Sequence, residues 1–136
     1  MLMRKIVLIL ALGLTCSSVI AEWSQVEESS SLIAYVDYAT IRKYDNKVKM
    51  WSLFDYKNSQ DAVGSNKRFL STKSRNEYDC NEEKSRALSL SVYMGNMGHG
   101  EVIYSDSSVG PWEELPPNTI ARYLWQIGCG KQEVNP

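Results

Sequence analysis

PPNTIARYLWQIGCG, residues 116–130, decides how this chain folds. Its paired prolines halt whatever precedes them. Asn118 is a good helix N-cap. Ile120, Leu124 and Ile127 then recur at i, i+4 and i+7, with Tyr123 beside them, which is the stripe of an amphipathic helix. Gly128 and Gly130 are stop signals. The spacing predicts one helix over 118–127, with Cys129 at or just past its end. No other segment carries so clear a helical period, so strands must supply most of the fold.

The strand signals are short. SLIAYVD (31–37) is β-rich and buried in character. VKMWSLFD (48–55) follows the turn signal Asp45–Asn46. It puts Val48, Met50 and Phe54 on one face and Trp51 and Leu53 on the other. Apolar residues on both faces predict a central strand covered on both sides. Residues 68–80 form a long polar run. In 87–93, Leu88, Leu90 and Val92 alternate with Ser89 and Ser91. Residues 100–105 alternate again, after the glycine-rich hairpin loop MGNMGHG (94–100). EWSQVE (22–27) adds a short first strand. The expected class is α+β: about six antiparallel strands with one C-terminal helix packed on a face.

The chain has 136 residues, enough for one domain. Arg4 and Lys5, an apolar run from Ile6 to Leu14, and small residues at Val19 and Ala21 read as a signal peptide cut before Glu22. Residues 22–136 are then the domain. The apolar run is shorter than the roughly 20 residues that span a bilayer, and no later segment is apolar enough. Lipid attachment at Cys16 fits poorly, because Gly13 and Thr15 occupy positions that call for a large aliphatic and a small residue. Past residue 21, 13 Lys and Arg face 16 Asp and Glu, a net charge of −3. A general nucleic-acid binder needs a basic footprint instead.

Removal of Cys16 leaves Cys80 and Cys129. Two cysteines in an exported chain most simply pair, here tethering the helix to the end of a strand. A zinc site needs four ligands, and His99 is the only histidine available to join them. A reactive thiol would leave one cysteine odd.

Few residues suggest chemistry. The 94–100 loop leads into a strand, not into a helix as phosphate-cradling loops do. His99 has no nucleophile-elbow serine to serve. Asp79, Glu82 and Glu83 match no calcium loop and read as a solvated turn. KRFLSTKSR (67–75) holds Lys67, Arg68, Lys73 and Arg75, with Arg68 alternating opposite the other three. The strip suits sulfated glycans or an acidic protein segment, or else it protects an edge strand by charge. Four tryptophans and eight tyrosines are present, and an exposed aromatic cluster would suit a sugar or protein interface. Trp125 projects away from the Ile120/Leu124/Ile127 stripe and is the aromatic expected to face a partner.

Trp23, YVDYATIRKYDNKVKMWSLFDY (35–56), EYDC (77–80) with Arg86 after it, MGHGEVIYS (97–105), Trp112, PPNT (116–119) and Cys129 follow one another in an order that resembles the surface-adhesin protein E family of bacterial exported proteins. The resemblance covers nearly the whole chain after residue 21. It implies an antiparallel sheet with a C-terminal helix tethered by a disulfide. It also implies a binding role: the family's name-giving member is a surface lipoprotein that attaches to host extracellular-matrix and plasma proteins such as vitronectin and laminin, and it can dimerise. The two cysteines carry over, whereas no short motif carries over a ligand site, and the lipid-attachment signal is poor here.

Together these readings predict a non-enzymatic binding protein of the bacterial envelope. It sits in the periplasm or at the cell surface and holds a protein partner without a cofactor or metal. Candidate contacts are Lys67, Arg68, Lys73, Arg75 and Trp125. The alternative is a soluble periplasmic accessory factor, an inhibitor or stress-response protein, on the same scaffold.

Overall fold

The structure, a computed structural model, describes Gly13 and residues 21–131. Almost all of the expected signal peptide, Cys16 included, lies outside the described residues. Among them are eight strands and one helix, in the order β1 (Ser24–Glu28), β2 (Leu32–Val36), β3 (Arg42–Tyr44), β4 (Lys47–Asp61), β5 (Arg68–Asp79), β6 (Lys84–Tyr93), β7 (Val102–Asp106), β8 (Glu113–Glu114) and α1 (Ile120–Cys129). All pairings are antiparallel, and the sheet order is β1-β2-β4-β5-β6-β7. The short β3 and β8 extend it by pairing with β4 and β6.

This is the expected α+β class, with six principal strands and one C-terminal helix. No described helix is long and apolar enough to cross a membrane. One expectation changes. The basic run 67–75 does not line an edge, because β5 pairs with β4 on one side and β6 on the other. Edge protection therefore cannot explain its charges.

The pleat explains the layering. Side chains alternate across a strand, so the even positions of β4 share one face. Val48 and Met50 from that face, with Val36 of β2 and Tyr78 of β5, form the core against Leu124, Trp125 and Ile127 of α1. Ser52, buried opposite Val36, bonds to the Ser74 hydroxyl at 3.2 Å. Cys80 and Cys129 are joined, with their Cα atoms 5.6 Å apart.

The helix begins one residue later than Asn118 suggests. Thr119 is the N-cap, and its hydroxyl oxygen accepts the Arg122 N–H at 3.2 Å. Asn118 instead turns the chain in the left-handed region, at φ 61°. Gly130, also left-handed at φ 67°, closes the other end by donating to the carbonyls of Gln126 and Ile127. A side chain there would strain that cap. Substituting Thr119→Ala should cost about 1 kcal/mol, the usual value of an N-cap, in urea denaturation. Asn118→Ala should leave the cap bond in place.

Candidate functional site

The odd positions of β4 and β5 point away from α1, onto the second face of the sheet. At one end of that face lies a buried charge. Glu77 is only 1% exposed, and its carboxylate accepts from Arg86 Nε at 2.7 Å and Nη2 at 2.6 Å and from the Tyr44 hydroxyl. Hairpin register makes this possible, because Glu77 and Arg86 are direct cross-strand partners of β5 and β6. The Arg86 guanidinium also stacks on Trp112, 4.5 Å from the ring centroid, and Lys49 lies over the Tyr44 ring. Burial pushes the Glu77 pKa up, but the Tyr44 and Arg86 hydrogen bonds and the Arg86 and Lys49 charges outweigh it. The carboxyl stays below its ordinary range. Tyr44 is shifted the other way, upward, chiefly because its O–H is held by Glu77.

The middle of the face carries Trp51 of β4 directly opposite Arg75 of β5. The far end carries Lys73. Its ammonium sits 5.1 Å from the centroid of Tyr93 and 6.0 Å from that of Trp23, within cation–π range of both rings. The glycine-rich loop positions it. That loop folds down over the sheet: Asn96 Nδ2 and the Met97 N–H both donate to Asp55 Oδ1 at 2.9 Å, the Gly98 N–H donates to Ser71 Oγ at 2.8 Å, and Ser71 Oγ donates to the Gly95 carbonyl at 2.6 Å. Gly98, at φ 71°, lies so close to the Lys73 stem that a Cβ there would stand 2.3 Å from Lys73 Cε. The loop is thus a buttress for the second face as well as a hairpin.

Beside Lys73 the face opens into a cavity of about 370 Å³, lined by Trp23, Trp51, Tyr93, Asp37, Thr40, Ser91 and Lys73, with Ala21, the last residue before the expected cut, at its rim only in the uncut chain. A larger hollow of about 530 Å³ opens at the start of α1. Its cation, Arg122, is already committed to Glu83 at 3.2 Å and to the Leu115 carbonyl at 3.2 Å.

The four basic residues of 67–75 are not one site. Lys67 pairs with Glu101 at 3.1 Å, and Arg68 pairs with Asp61 at 3.3 Å at the exposed end of the β4–β5 hairpin. Lys73 and Arg75 come together two positions apart on the second face, with no ion-pair partner among the described residues. Trp125 does not face outward. It is 3% exposed in the core, and its indole N–H donates to the Asp79 carbonyl at 2.8 Å. Arg122 and Lys131 lie over its ring. His99 is an exposed loop residue. Asp79 anchors the β5–β6 turn: its Oδ1 accepts the Asn81 and Glu82 N–H groups at 3.0 Å, and those bonds, the Glu82 one foremost, hold its pKa low.

The structure combines an antiparallel sheet, a disulfide-tethered helix and an open aromatic and basic face, and no described cluster of His, Cys, Asp and Glu could hold a metal. The surface-adhesin protein E family matches residues 23–130, and the chain belongs to it. Among solved structures, the fold is similar to a crystal form of Haemophilus influenzae protein E, with a TM-score of 0.57 and 14% identity over 79% of this chain and 96% of that one. The selenomethionine form of the same protein gives 0.56 and 14% over 79% and 92%. Protein E from non-typeable Haemophilus influenzae gives 0.54 and 14% over 80% and 84%. No curated protein matches the chain in sequence.

Proposed function

We propose that this chain is a non-enzymatic surface adhesin, exported through its signal peptide, that holds an acidic segment of a protein partner against the sheet face opposite α1. Family membership supports the class. The observation that carries the contact is the pairing of Lys73 and Arg75 on one open face, without a carboxylate partner among the described residues. Charged groups left unpaired at a surface steer and orient an oppositely charged partner. The natural candidates are host extracellular-matrix and plasma proteins of the vitronectin and laminin kind.

Substitution of Lys73→Glu with Arg75→Glu should weaken binding to immobilised vitronectin by about tenfold or more, and rising salt should weaken the wild type in parallel. Lys67→Glu with Arg68→Glu, which disturbs only the already paired cations, should change it little. Equal binding by all three proteins would remove the second face from consideration. Protease shaving of intact cells should destroy an adhesin. A spared chain would mark a periplasmic accessory factor instead.

A further inference from the structure

We infer that the cavity beside Lys73 is a saccharide site. A sugar ring has flat C–H faces that pack on aromatic rings and an edge of hydroxyls that both donate and accept. The cavity offers both kinds of partner. Trp23, Trp51 and Tyr93 give it aromatic walls, the Lys73 ammonium lies over the Trp23 and Tyr93 rings, and Asp37 completes the lining. Three aromatic and four polar side chains, Asp37, Thr40, Lys73 and Ser91, share its lining, so a ligand there must satisfy apolar and hydrogen-bonding surface together.

The polar groups are built in. Asp37 is 6% exposed, and its Oδ1 is held by the Ala39 N–H at 3.1 Å. Its second oxygen accepts no hydrogen bond among the described residues, and Asp37 lines the cavity, so the carboxylate keeps acceptor capacity for sugar hydroxyls. Lys73 is fixed by two aromatic rings and by Gly98 and retains N–H groups to donate. Trp51 is locked in the β4–β5 ladder. Little conformational freedom remains for a ligand to freeze, which lowers the ordering cost of binding.

Other ligand classes fit worse. A cationic side chain would need the space between Trp23 and Tyr93 that the Lys73 ammonium already fills. An acidic side chain inside the cavity would satisfy Lys73 but meet the Asp37 carboxylate, so an acidic partner segment belongs on the Arg75 side of Lys73, outside the cavity lining. An apolar ligand would bury both charges without partners. A polyhydroxylated ring satisfies the carboxylate, the ammonium and the aromatic walls together.

The test uses the full chain exported from a bacterial host, so that its disulfide forms. It is screened on a glycan array. Indole N–H resonances are then followed by NMR while chitotriose, maltotriose and sialyllactose are added to about 10 mM, beyond the weak millimolar range. The expected result is binding of at least one glycan, with shifts at two of the four indoles. Trp23→Ala removes a wall outside every strand, so it should keep the fold while weakening that glycan about tenfold. Asp37→Asn should weaken it as well. An array without hits and indoles that stay still with all three sugars would overturn the inference. So would glycan binding that survives Trp23→Ala. Retention of vitronectin binding by Trp23→Ala keeps this outcome separate from the protein-partner reading.

Discussion

Replacing Cys80 and Cys129 with serine lowers stability by about 4 kcal/mol, the chain-entropy value for a loop of this length. The two cysteines are 49 residues apart, so the bond removes a large share of the freedom of the unfolded chain. A domain of this size holds only about 5–15 kcal/mol in total. Reductant should reproduce the loss in the wild type and do nothing to the double variant, as read by urea denaturation with and without dithiothreitol. The helix should stay docked, because other contacts hold the same junction. The Trp125 indole donates to the Asp79 carbonyl, and Lys131 Nζ donates to the Cys80 carbonyl at 2.8 Å. Helical circular dichroism should therefore persist, while amide exchange over 120–129 accelerates. A loss under about 1 kcal/mol would mean that strain or residual structure offsets the entropy.

That staple was legible because it needed only a count of cysteines and a local period. Residues 116–130 carry their helix in spacing alone, and the apolar residues on both faces of Val48 to Asp55 mark a central strand, although its second face buries Leu53 and leaves Trp51 beside a cavity. What depended on distant parts of the chain was not legible. Trp125 lies off the Ile120/Leu124/Ile127 stripe, yet the sheet end reaches it. The Asp79 carbonyl satisfies its N–H, which lets the ring bury. Lys67 and Arg68 look equivalent to Lys73 and Arg75 until Glu101 and Asp61 arrive across loops to neutralise them. The Asn118 N-cap was one residue off because Asn also suits the left-handed turn that comes first. MGNMGHG reads as a hairpin loop from its glycines. Its second task, bracing Lys73 and bonding to Asp55 and Ser71, rests on residues more than 20 positions away.

Glu77 was the buried charge least visible in sequence. Sequence alone places it only within the long polar run 68–80. The usable signal was Arg86, nine residues on, across a tight turn that sets the two opposite each other. Glu77 and Arg86 thus form one network with Tyr44 on the second face, while Tyr78 packs against α1, Asp79 holds the β5–β6 turn and Cys80 enters the disulfide.

The stability of that network should depend on pH in both directions. The folded Glu77 carboxyl titrates below its ordinary 4.5. Its contribution is therefore present above that value and is lost as pH falls through the depressed one. Tyr44 titrates above its ordinary 10.0 when folded. Its contribution is present below that value and is lost as pH rises through the elevated one. Stability should form a plateau between these limits, falling at both ends. Arg86→Met leaves a carboxylate buried without its cation and should cost about 3 kcal/mol, near the low end for such breakage because Arg86 is itself partly hydrated. Glu77→Gln should cost less, since a partly exposed guanidinium can turn to water, and it should flatten the acid limb of the profile. Combining Arg86→Met with Glu77→Leu should recover part of the loss, because an apolar pair of similar volume leaves no charge unmatched. Urea denaturation between pH 3 and pH 11 would read all four proteins. Equal losses from Arg86→Met and Glu77→Gln, with an unchanged acid limb, would mean that packing against Trp112, rather than charge, holds this end of the sheet.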